Sequence, residues 1–302
     1  MKKLYGITVA MVTPMDANGK VDLDGVAKLT HMLIGKGVHC LYPCGTTGEM
    51  LKLTTEERKQ IAETVVKTAA GRVTVFIHTG AESPEKTLEL SLHAHSIGAD
   101  GVGIVSPQFF GCSERMMEAY YTGICSKLPE DFPVYLYGIP QCAANDITAA
   151  TAKKLFETLP NVVGMKYSFL DMVRTTAYLD IGNGFSVLHG SDRHLSSMLI
   201  LGCDGTVSGV SSACPEPFVN VWNAWQAGDL DAVRYWQKAA REICDILRCG
   251  ADMALFKAAL KIRGLDAGHM RAPQLDLTSE EYAALETALT AFLARYRLPL
   301  KV

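Results

Sequence analysis

Residues 162–168 read Val-Val-Gly-Met-Lys-Tyr-Ser, a short apolar run that ends on a lysine. Pro160 and Asn161 precede this run, and such punctuation before an apolar stretch predicts a buried β-strand. Lys166 therefore stands where the strand meets solvent or a cleft. Its ammonium can extend into bulk water, or the amine can lie in an apolar pocket where desolvation favours the neutral, nucleophilic form. The ends of the other strands decide between these alternatives.

Strands of this kind alternate with amphipathic helices along most of the chain. Helix starts are indicated by Asp22, by the capping pair Thr54 and Glu57, and by Ser83 before Pro84. The pattern predicts an α/β fold, a (β/α)8 TIM barrel with additional C-terminal helices. A doubly wound open sheet is the alternative, but no Gly-x-Gly-x-x-Gly follows the first strand. The predicted strands cover residues 6–13, 40–43, 73–78, 101–106, 133–139, 162–166, 185–189 and 204–208.

Beyond Asp229 the pattern predicts helices alone. Apolar periodicity marks helices over residues 232–247 and 253–262, and Thr278 with Glu281 caps a last one. We therefore expect a barrel over residues 1–228 that carries the active site, and a helical segment over residues 229–302 that packs on it.

Composition excludes several classes of partner. The 302 residues are 48% hydrophobic and 20% charged, with a formal net charge of −3 and no Lys/Arg cluster. This balance predicts neither a nucleic-acid partner nor a membrane-surface partner. The nine cysteines include no Cys-x-x-Cys pair, which favours free thiols in a reducing compartment and a cytoplasmic location.

No metal site or leader segment is predicted. His93 and His95 are two residues apart on a predicted helix and diverge, and no His-Glu-x-x-His is present. Lys2 and Lys3 before an apolar run imitate a signal peptide, but Gly6 and the sequence at 14–16 interrupt it. A first barrel strand explains this stretch better.

Two further strand ends carry candidate functional groups. The second strand ends in Gly45-Thr46-Thr47-Gly48-Glu49, whose backbone N–H groups and hydroxyls suit a small carboxylate, although a plain turn is the alternative. In the fifth strand, alternation places Tyr135 and Tyr137 on one side, so one of them can belong to the core. In a barrel, these ends converge with that of Lys166.

Motifs along the whole chain resemble one enzyme family. They are residues 6–14, the Gly-Thr-Thr-Gly-Glu turn, Tyr137-x-x-Pro140, Gly164-x-Lys166, residues 202–205 and Arg271-Ala272-Pro273. Together they resemble the dihydrodipicolinate synthase and N-acetylneuraminate lyase family of pyruvate-dependent class I aldolases.

The resemblance implies a role for each matching residue. Lys166 would form the Schiff base with pyruvate, Tyr137 would shuttle protons, and Thr46 would join the relay. Gly45 and Thr47 would hold the pyruvate carboxylate, with Val207 lining that site. The resemblance also implies no cofactor beyond the imine, and a homotetramer with Phe109 near a neighbouring site.

Departures from the family pattern concern the second substrate. The synthases carry an arginine where Cys142 stands and a relay tyrosine where Phe109 stands. A thiol makes no bidentate ion pair with a carboxylate, and phenylalanine carries no proton. We therefore predict poor or absent synthase activity. Arg193 stands where neuraminate lyases carry glutamate, which disfavours sialic acid.

The remaining strand-end residues suit a polyhydroxylated substrate. Ser168, Asp192 and Ser208 are candidate contacts, with Gln141 and Ser191, although Asp192 could instead cap a helix. Our hypothesis is a lyase that releases pyruvate from a 2-keto-3-deoxy sugar acid. The alternatives are a dihydrodipicolinate synthase and a non-catalytic sensor of 2-oxo acids.

Overall fold

The computed structural model describes residues 1–250 and 252–302. Eight parallel strands pair in sequence order and close into a barrel, which confirms the predicted fold and rules out an open sheet. The strands are β1 Gly6–Ala10, β2 Cys40–Tyr42, β3 Thr74–His78, β4 Gly101–Val105, β5 Val134–Gly138, β6 Val162–Tyr167, β7 Ser186–His189 and β8 Gly205–Ser208.

Helices follow the strands, and most begin where the capping signals predict. Asp22 accepts from the backbone of Gly25, and Thr54 forms a capping box with Glu57. The prediction was wrong in placing the end of the first strand at residue 13, because it ends at Ala10. The helices are α1 Leu23–Gly35, α2 Thr55–Ala69, α3 Pro84–Ser96, α4 Glu114–Cys125, α5 Pro140–Ala143, α6 Ala149–Thr158, α7 Met172–Leu179, α8 Leu195–Leu201, α9 Glu216–Gln226, α10 Leu230–Ile246, α11 Met253–Ile262 and α12 Ser279–Arg295.

The last three helices pack on one another and on the barrel. Helix α10 packs against α8 and α9, and α12 packs against both α10 and α11. The division into residues 1–228 and 229–302 remains a prediction. Within the described part of the chain, every helix is too short or too polar to cross a lipid bilayer.

Alternation along the strands separates two apolar layers. Val134 and Leu136 of β5 pack between the sheet and the helices, whereas Tyr135 packs inside the barrel with Tyr42 and Val207. The barrel interior is therefore filled by side chains and is not a pore. Functional groups stand above this filling, at the carboxyl ends of the strands.

An irregularity in β6 sets the direction of its last residues. Val134 pairs with Val162, but Tyr137 pairs with Lys166, so β6 contains one residue more than β5 over this span. Such a bulge changes the face of the sheet to which the following side chains point. Val163 points into the barrel interior, and so does Lys166 three residues later. Gly164 permits the close packing of β7, because an ideal Cβ there would lie 2.2 Å from the carbonyl oxygen of Ser186.

Candidate active site

Lys166 lies in an aromatic pocket at the carboxyl end of the barrel. Only 4% of the residue is exposed. Its Nζ atom lies 3.8 Å from the ring centre of Tyr137 and 5.0 Å from that of Tyr42. The alternative of a solvated surface ammonium is therefore wrong. An amine among aromatic faces is positioned to react with a carbonyl compound that enters from the strand ends.

Tyr137 and Thr46 come together from distant parts of the chain. The Oγ1 atom of Thr46, in the turn after β2, lies 3.3 Å from the Oη atom of Tyr137 at the end of β5. Tyr137 is 1% exposed, so its phenol is shielded from bulk water. Because the Lys166 amine lies over the Tyr137 ring, the three side chains share one pocket.

The turn at residues 45–49 is firmly held. The hydroxyl of Thr13 donates to the carbonyl oxygen of Gly48 at 2.8 Å, and Thr47 is buried. Glu49 has a φ of 62° and pairs through its carboxylate with Lys257 and Lys52. Gly45 is buried too, and an ideal Cβ there would lie 3.5 Å from the Tyr42 ring. These contacts hold the turn that carries the two threonines in place.

His78 and Arg58 were missed by the sequence analysis. His78 ends β3, and its ring meets that of Tyr137 edge-on with centroids 5.7 Å apart. Burial, followed by the charges of Arg58 and Lys166, holds the pKa of His78 well below its usual value. The imidazole is therefore neutral. Arg58 donates to the carbonyl oxygens of His78 and Gly80 at 2.8 and 3.0 Å. A histidine closing a barrel strand was the signal that could have found this pair.

Val207 and Ser208 occupy the end of β8. Val207 is 3% exposed and packs in the barrel interior with Tyr42. The hydroxyl of Ser208 accepts from the backbone N–H of Ser211 at 3.0 Å, and Ser208 is fully buried. Val207 thus supports the floor of the pocket, and Ser208 is engaged with the protein.

Two cavities open at this end of the barrel. The first, of about 350 Å³, is lined by Thr46, Ile139 and Cys142 among others. The second, of about 390 Å³, brings together four predicted distal contacts, Gln141, Ser168, Ser191 and Asp192. Gln141 donates to the carbonyl oxygen of Ser168 at 2.7 Å. The structure therefore gathers these four side chains and leaves Ser208 outside the group.

Asp192 does not cap a helix, so that alternative is wrong. It opens the one-turn segment Asp192–His194 without a capping bond, and its Oδ2 atom accepts from the backbone N–H of Val210 at 3.1 Å. The other oxygen, Oδ1, is buried with no hydrogen-bond partner among the described residues. Burial raises the pKa of Asp192 to about 7. The carboxylate is therefore only partly satisfied by the described chain.

The sequence profile of the Dihydrodipicolinate synthetase family matches residues 3–292. The chain belongs to this family. Members of the dihydrodipicolinate synthetase family are pyruvate-dependent lyases and aldolases, and this protein is a class I aldolase of that kind. Among the described residues no group of three or more His, Cys, Asp or Glu side chains could hold a metal ion.

Individual relatives cover nearly the whole chain. An uncharacterized DapA-like lyase of Halobacterium salinarum is 35% identical over 95% of this chain and 93% of its own. The Escherichia coli protein named "Putative 2-dehydro-3-deoxy-D-gluconate aldolase YagE" is 31% identical over 94% of this chain and 95% of its own. The crystal structure of YagE in complex with pyruvate superposes with a TM-score of 0.90, at 30% identity, covering 96% and 99% of the two chains. A catalytic lysine mutant of a Ruminococcus gnavus sialic acid aldolase superposes with a TM-score of 0.92, at 27% identity, over 98% and 99%.

The two departures from the synthase pattern lie at the surface of this family fold. Cys142 is exposed and lines the first cavity, where Lys52 is the one cation among the described lining residues. The Lys52 ammonium is engaged by the Glu49 carboxylate and by oxygens of Arg271 and Gln274 at 2.9 and 2.8 Å. These three acceptors match its three N–H donors, so it offers no free donor to a substrate carboxylate.

Phe109 lies in the loop after β4. It is 83% exposed, and its ring packs edge-on against Phe110 with centroids 5.0 Å apart. Its φ of 72° is unusual for a residue with a side chain. Within the single chain, the ring makes no contact that would bring it to Tyr137 or Thr46.

Proposed function

We propose that this aldolase cleaves a 2-keto-3-deoxy sugar acid into pyruvate and an aldehyde through an imine on Lys166. The observation that carries the proposal is the second cavity, where Gln141, Ser168, Ser191 and Asp192 converge near the lysine-bearing end of the barrel. These hydrogen-bonding groups suit the hydroxyls of a sugar acid, whereas a second carboxylate would need a free cation, and Arg193, which also lines this cavity, is already paired with Asp245. The similarity to YagE supports the same substrate class.

The covalent step begins at the buried amine. Lys166 attacks the keto carbon of the substrate, and the carbinolamine loses water to give an iminium that withdraws electrons from the neighbouring carbon. The bond between C3 and C4 then breaks, leaving an enamine on the pyruvate carbons and an aldehyde. Protonation of the enamine and hydrolysis of the imine release pyruvate and restore the amine.

Tyr137 moves the protons that these steps require. Its hydroxyl would donate to the carbinolamine oxygen and accept the proton from the C4 hydroxyl as the carbon–carbon bond breaks. Thr46, 3.3 Å from Tyr137, would pass that proton along the relay. The neutral ring of His78 packs on Tyr137 and fixes its orientation without competing for the proton.

The substrate carboxylate is assigned to the turn after β2. Gly45 and Thr47 provide backbone N–H groups and a hydroxyl beside the lysine, and Val207 forms part of the apolar floor. The sugar chain would then extend toward Ser168 and Gln141, with Asp192 accepting or sharing a hydrogen bond at a distal hydroxyl.

Two alternatives differ in their predicted reactions. A synthase would need a cation for the carboxylate of aspartate semialdehyde, but Cys142 stands at that position and Lys52 is already engaged. A non-catalytic sensor would bind pyruvate without turnover, and the 3.3 Å contact between Thr46 and Tyr137 supports a relay that permits turnover instead. We therefore prefer the sugar-acid lyase.

The deciding experiment is a panel of 2-keto-3-deoxy sugar acids, with pyruvate release followed through lactate dehydrogenase and NADH. At least one acid should be cleaved, and the proposal fails if none releases pyruvate. Borohydride reduction in the presence of pyruvate should attach pyruvate covalently to Lys166, whereas K166M should remain unmodified. K153M is the matched control, because Lys153 is 56% exposed on α6 and should leave labelling unchanged.

Two further assays separate the alternatives. Aspartate semialdehyde with pyruvate in a coupled reductase assay should give little or no product, and efficient turnover would establish a synthase. Exchange of the pyruvate methyl protons in heavy water should proceed in the parent protein, since it requires the shuttle at Tyr137. Absence of exchange despite labelled Lys166 would instead indicate a sensor.

The assembly and location are also proposals. The family resemblance supports a homotetramer in the cytoplasm, and the 83% exposure of Phe109 supports its burial by a neighbouring subunit. Light scattering coupled to size exclusion should give four times the chain mass of 32.8 kDa. A monomer at micromolar concentration would exclude the tetramer.

A further inference from the structure

Two cysteines meet beside the second cavity. Cys249 lies in the one-turn segment Arg248–Gly250 and is exposed, whereas Cys244 near the end of α10 is fully buried. The segment of Cys249 packs on α10, and each thiol shifts the pKa of the other, upward at Cys244 and downward at Cys249. Cys249 also lines the cavity that contains Ser168 and Asp192. A solvent-accessible thiol is therefore in contact with a second, shielded thiol at the edge of the proposed substrate site.

Arg193 stabilises the charged form of Cys249. Its Nε atom donates to the Cys249 sulfur at 2.9 Å, and the same guanidinium pairs with Asp245. The hydrogen bond from Cys244, followed by that from Arg193, lowers the pKa of Cys249. Partial burial and, to a smaller degree, Asp245 oppose this effect, and Asp192 and His194 face the same cavity. Arg193 is also the residue that departs from the neuraminate lyase pattern.

Other accessible thiols lack this environment. Cys142 is exposed at the first cavity, and burial alone raises its pKa. Cys112 is partly exposed, and burial raises its pKa as well. Since the thiolate is the reactive form of cysteine, oxidants should select Cys249 over both.

We propose that Cys249 and Cys244 are a peroxide-responsive thiol pair that modifies the second cavity. The Cys249 thiolate attacks hydrogen peroxide, the O–O bond breaks, and a sulfenic acid and hydroxide form. Cys244 then gives up its proton and attacks the Cys249 sulfur, forming the disulfide as the S–O bond breaks. Two thiols are oxidised, one peroxide is reduced, and two water molecules leave.

The expected effect on the aldolase rests on the proposed function. Arg193 follows Asp192 in the chain and ties that turn to the segment of Cys249. A disulfide removes the thiolate that accepts from Arg193, and it draws Cys249 toward α10. The wall next to Asp192 therefore changes, while Lys166 and Tyr137 are untouched. Binding of the sugar chain should weaken, and imine formation with pyruvate should not.

The first experiment tests the thiols without any activity assay. The parent protein is treated with stoichiometric hydrogen peroxide and mapped by peptide mass spectrometry, which should show a Cys244–Cys249 link. In C244A the reaction should stop at the sulfenic acid, which dimedone traps on Cys249. C142S should still form the link. Absence of both the link and the dimedone adduct would overturn the proposal.

Alkylation rates provide an independent measurement. At pH 7 iodoacetamide should modify Cys249 at least about threefold faster than Cys142. This ratio follows because each unit by which the pKa falls raises the thiolate fraction up to about tenfold but lowers the nucleophilicity of the thiolate about threefold. R193Q should slow alkylation of Cys249 and leave Cys142 unchanged. Equal rates in parent and R193Q would contradict the assigned role of Arg193.

The activity arm separates this inference from the proposed function. In oxidised protein the KM for the cleaved sugar acid should rise about fivefold, the size expected for one lost hydrogen bond, and dithiothreitol should reverse it. Each sample is compared with its own reduced form, and C244A should show no reversible change. An unchanged KM despite the disulfide would overturn the effect on the cavity. If the disulfide forms but no sugar acid is cleaved, the proposal of a peroxide-responsive thiol pair is supported and the proposed sugar-acid function is refuted.

Discussion

The Nζ atom of Lys257 lies 2.8 Å from the Oε1 atom of Glu49. The side chains are 2% and 3% exposed, so this ion pair is shielded from water. It joins helix α11 to the turn that carries Thr46 and Thr47. Lys257 also donates to the carbonyl oxygen of His269 at 2.6 Å. The C-terminal helices therefore hold the proposed carboxylate-binding turn in place.

We predict that K257M destabilises the protein by up to about 3 kcal/mol, because the buried Glu49 charge loses the more deeply buried of its two lysine partners. The loss stays at the lower end of the range for buried pairs, since Lys52 also contacts Glu49. Urea unfolding measures the change. K261M is the matched control on the same helix, because Lys261 is 55% exposed, and it should shift stability by less than about 0.5 kcal/mol. Equal losses in the two variants would refute the structural role of the pair.

The proton relay can be tested at both of its hydroxyls. Y137F should lower kcat by about 10²–10⁴-fold, the usual contribution of a positioned acid–base group. T46V should lower it about fivefold, because it removes one hydrogen bond, and T46S should recover most of the loss. Steady-state kinetics on the best substrate of the panel provides the measurement.

Y121F is the control for the relay variants. The hydroxyl of Tyr121 is buried between the sheet and the helices and donates to the carbonyl oxygen of Ile104 at 3.0 Å. Its removal should cost about 1 kcal/mol of stability and leave kcat within twofold of the parent. A comparable kcat loss in Y121F and Y137F would show that the tyrosines act through stability alone.

Asp192 should make stability depend on pH. Burial raises its pKa from 3.8 to about 7, so the unfolded chain loses this proton first as the pH rises. The free energy of unfolding should therefore fall between about pH 4 and pH 7, by up to about 1.4 kcal/mol per pH unit from this group. The asparagine in D192N cannot ionise. The free energy of unfolding of D192N should therefore exceed that of the parent by more at pH 8 than at pH 4.5.

Urea unfolding at the two pH values measures this advantage. D231N is the control, because Asp231 is 93% exposed on α10, and it should follow the parent within about 0.5 kcal/mol at both. A D192N advantage that is the same at pH 4.5 and pH 8 would show that Asp192 is not shielded as described.

Gly103 provides a test of the barrel interior. An ideal Cβ on this β4 residue would lie 1.8 Å from the Oη atom of Tyr42, whose ring contacts Lys166. G103A should therefore displace Tyr42 and cost about 1–3 kcal/mol, with a loss of pyruvate trapping at Lys166. G123A is the control, since a Cβ there meets nothing within 4 Å on helix α4, and it should stabilise by up to about 1 kcal/mol. Thermal unfolding of both variants decides the matter.

The barrel could be predicted because its signals are local. Strand alternation, caps such as Asp22 and the count of eight units all depend on neighbouring residues, and the structure confirms them. Convergence of Lys166, Tyr137 and Thr46 followed from the general rule that barrel strands end at one face. The contact of Arg58 with His78 depends instead on side chains reaching across strands, for which periodicity gives no signal. The clustering of Cys244, Cys249 and Arg193 likewise joins segments about fifty residues apart.

The register change between β5 and β6 makes the two halves of the lysine strand unequal in their tolerance of deletion. Losing Val163 would restore a regular ladder, with Lys166 still opposite Tyr137, at the expense of one interior side chain. Losing Met165 would instead prevent Gly164 and Lys166 from both keeping their partners Ser186 and Leu188 in β7. Evolution can therefore shorten this strand before Gly164 and keep the reactive group in place, but the spacing after it is fixed.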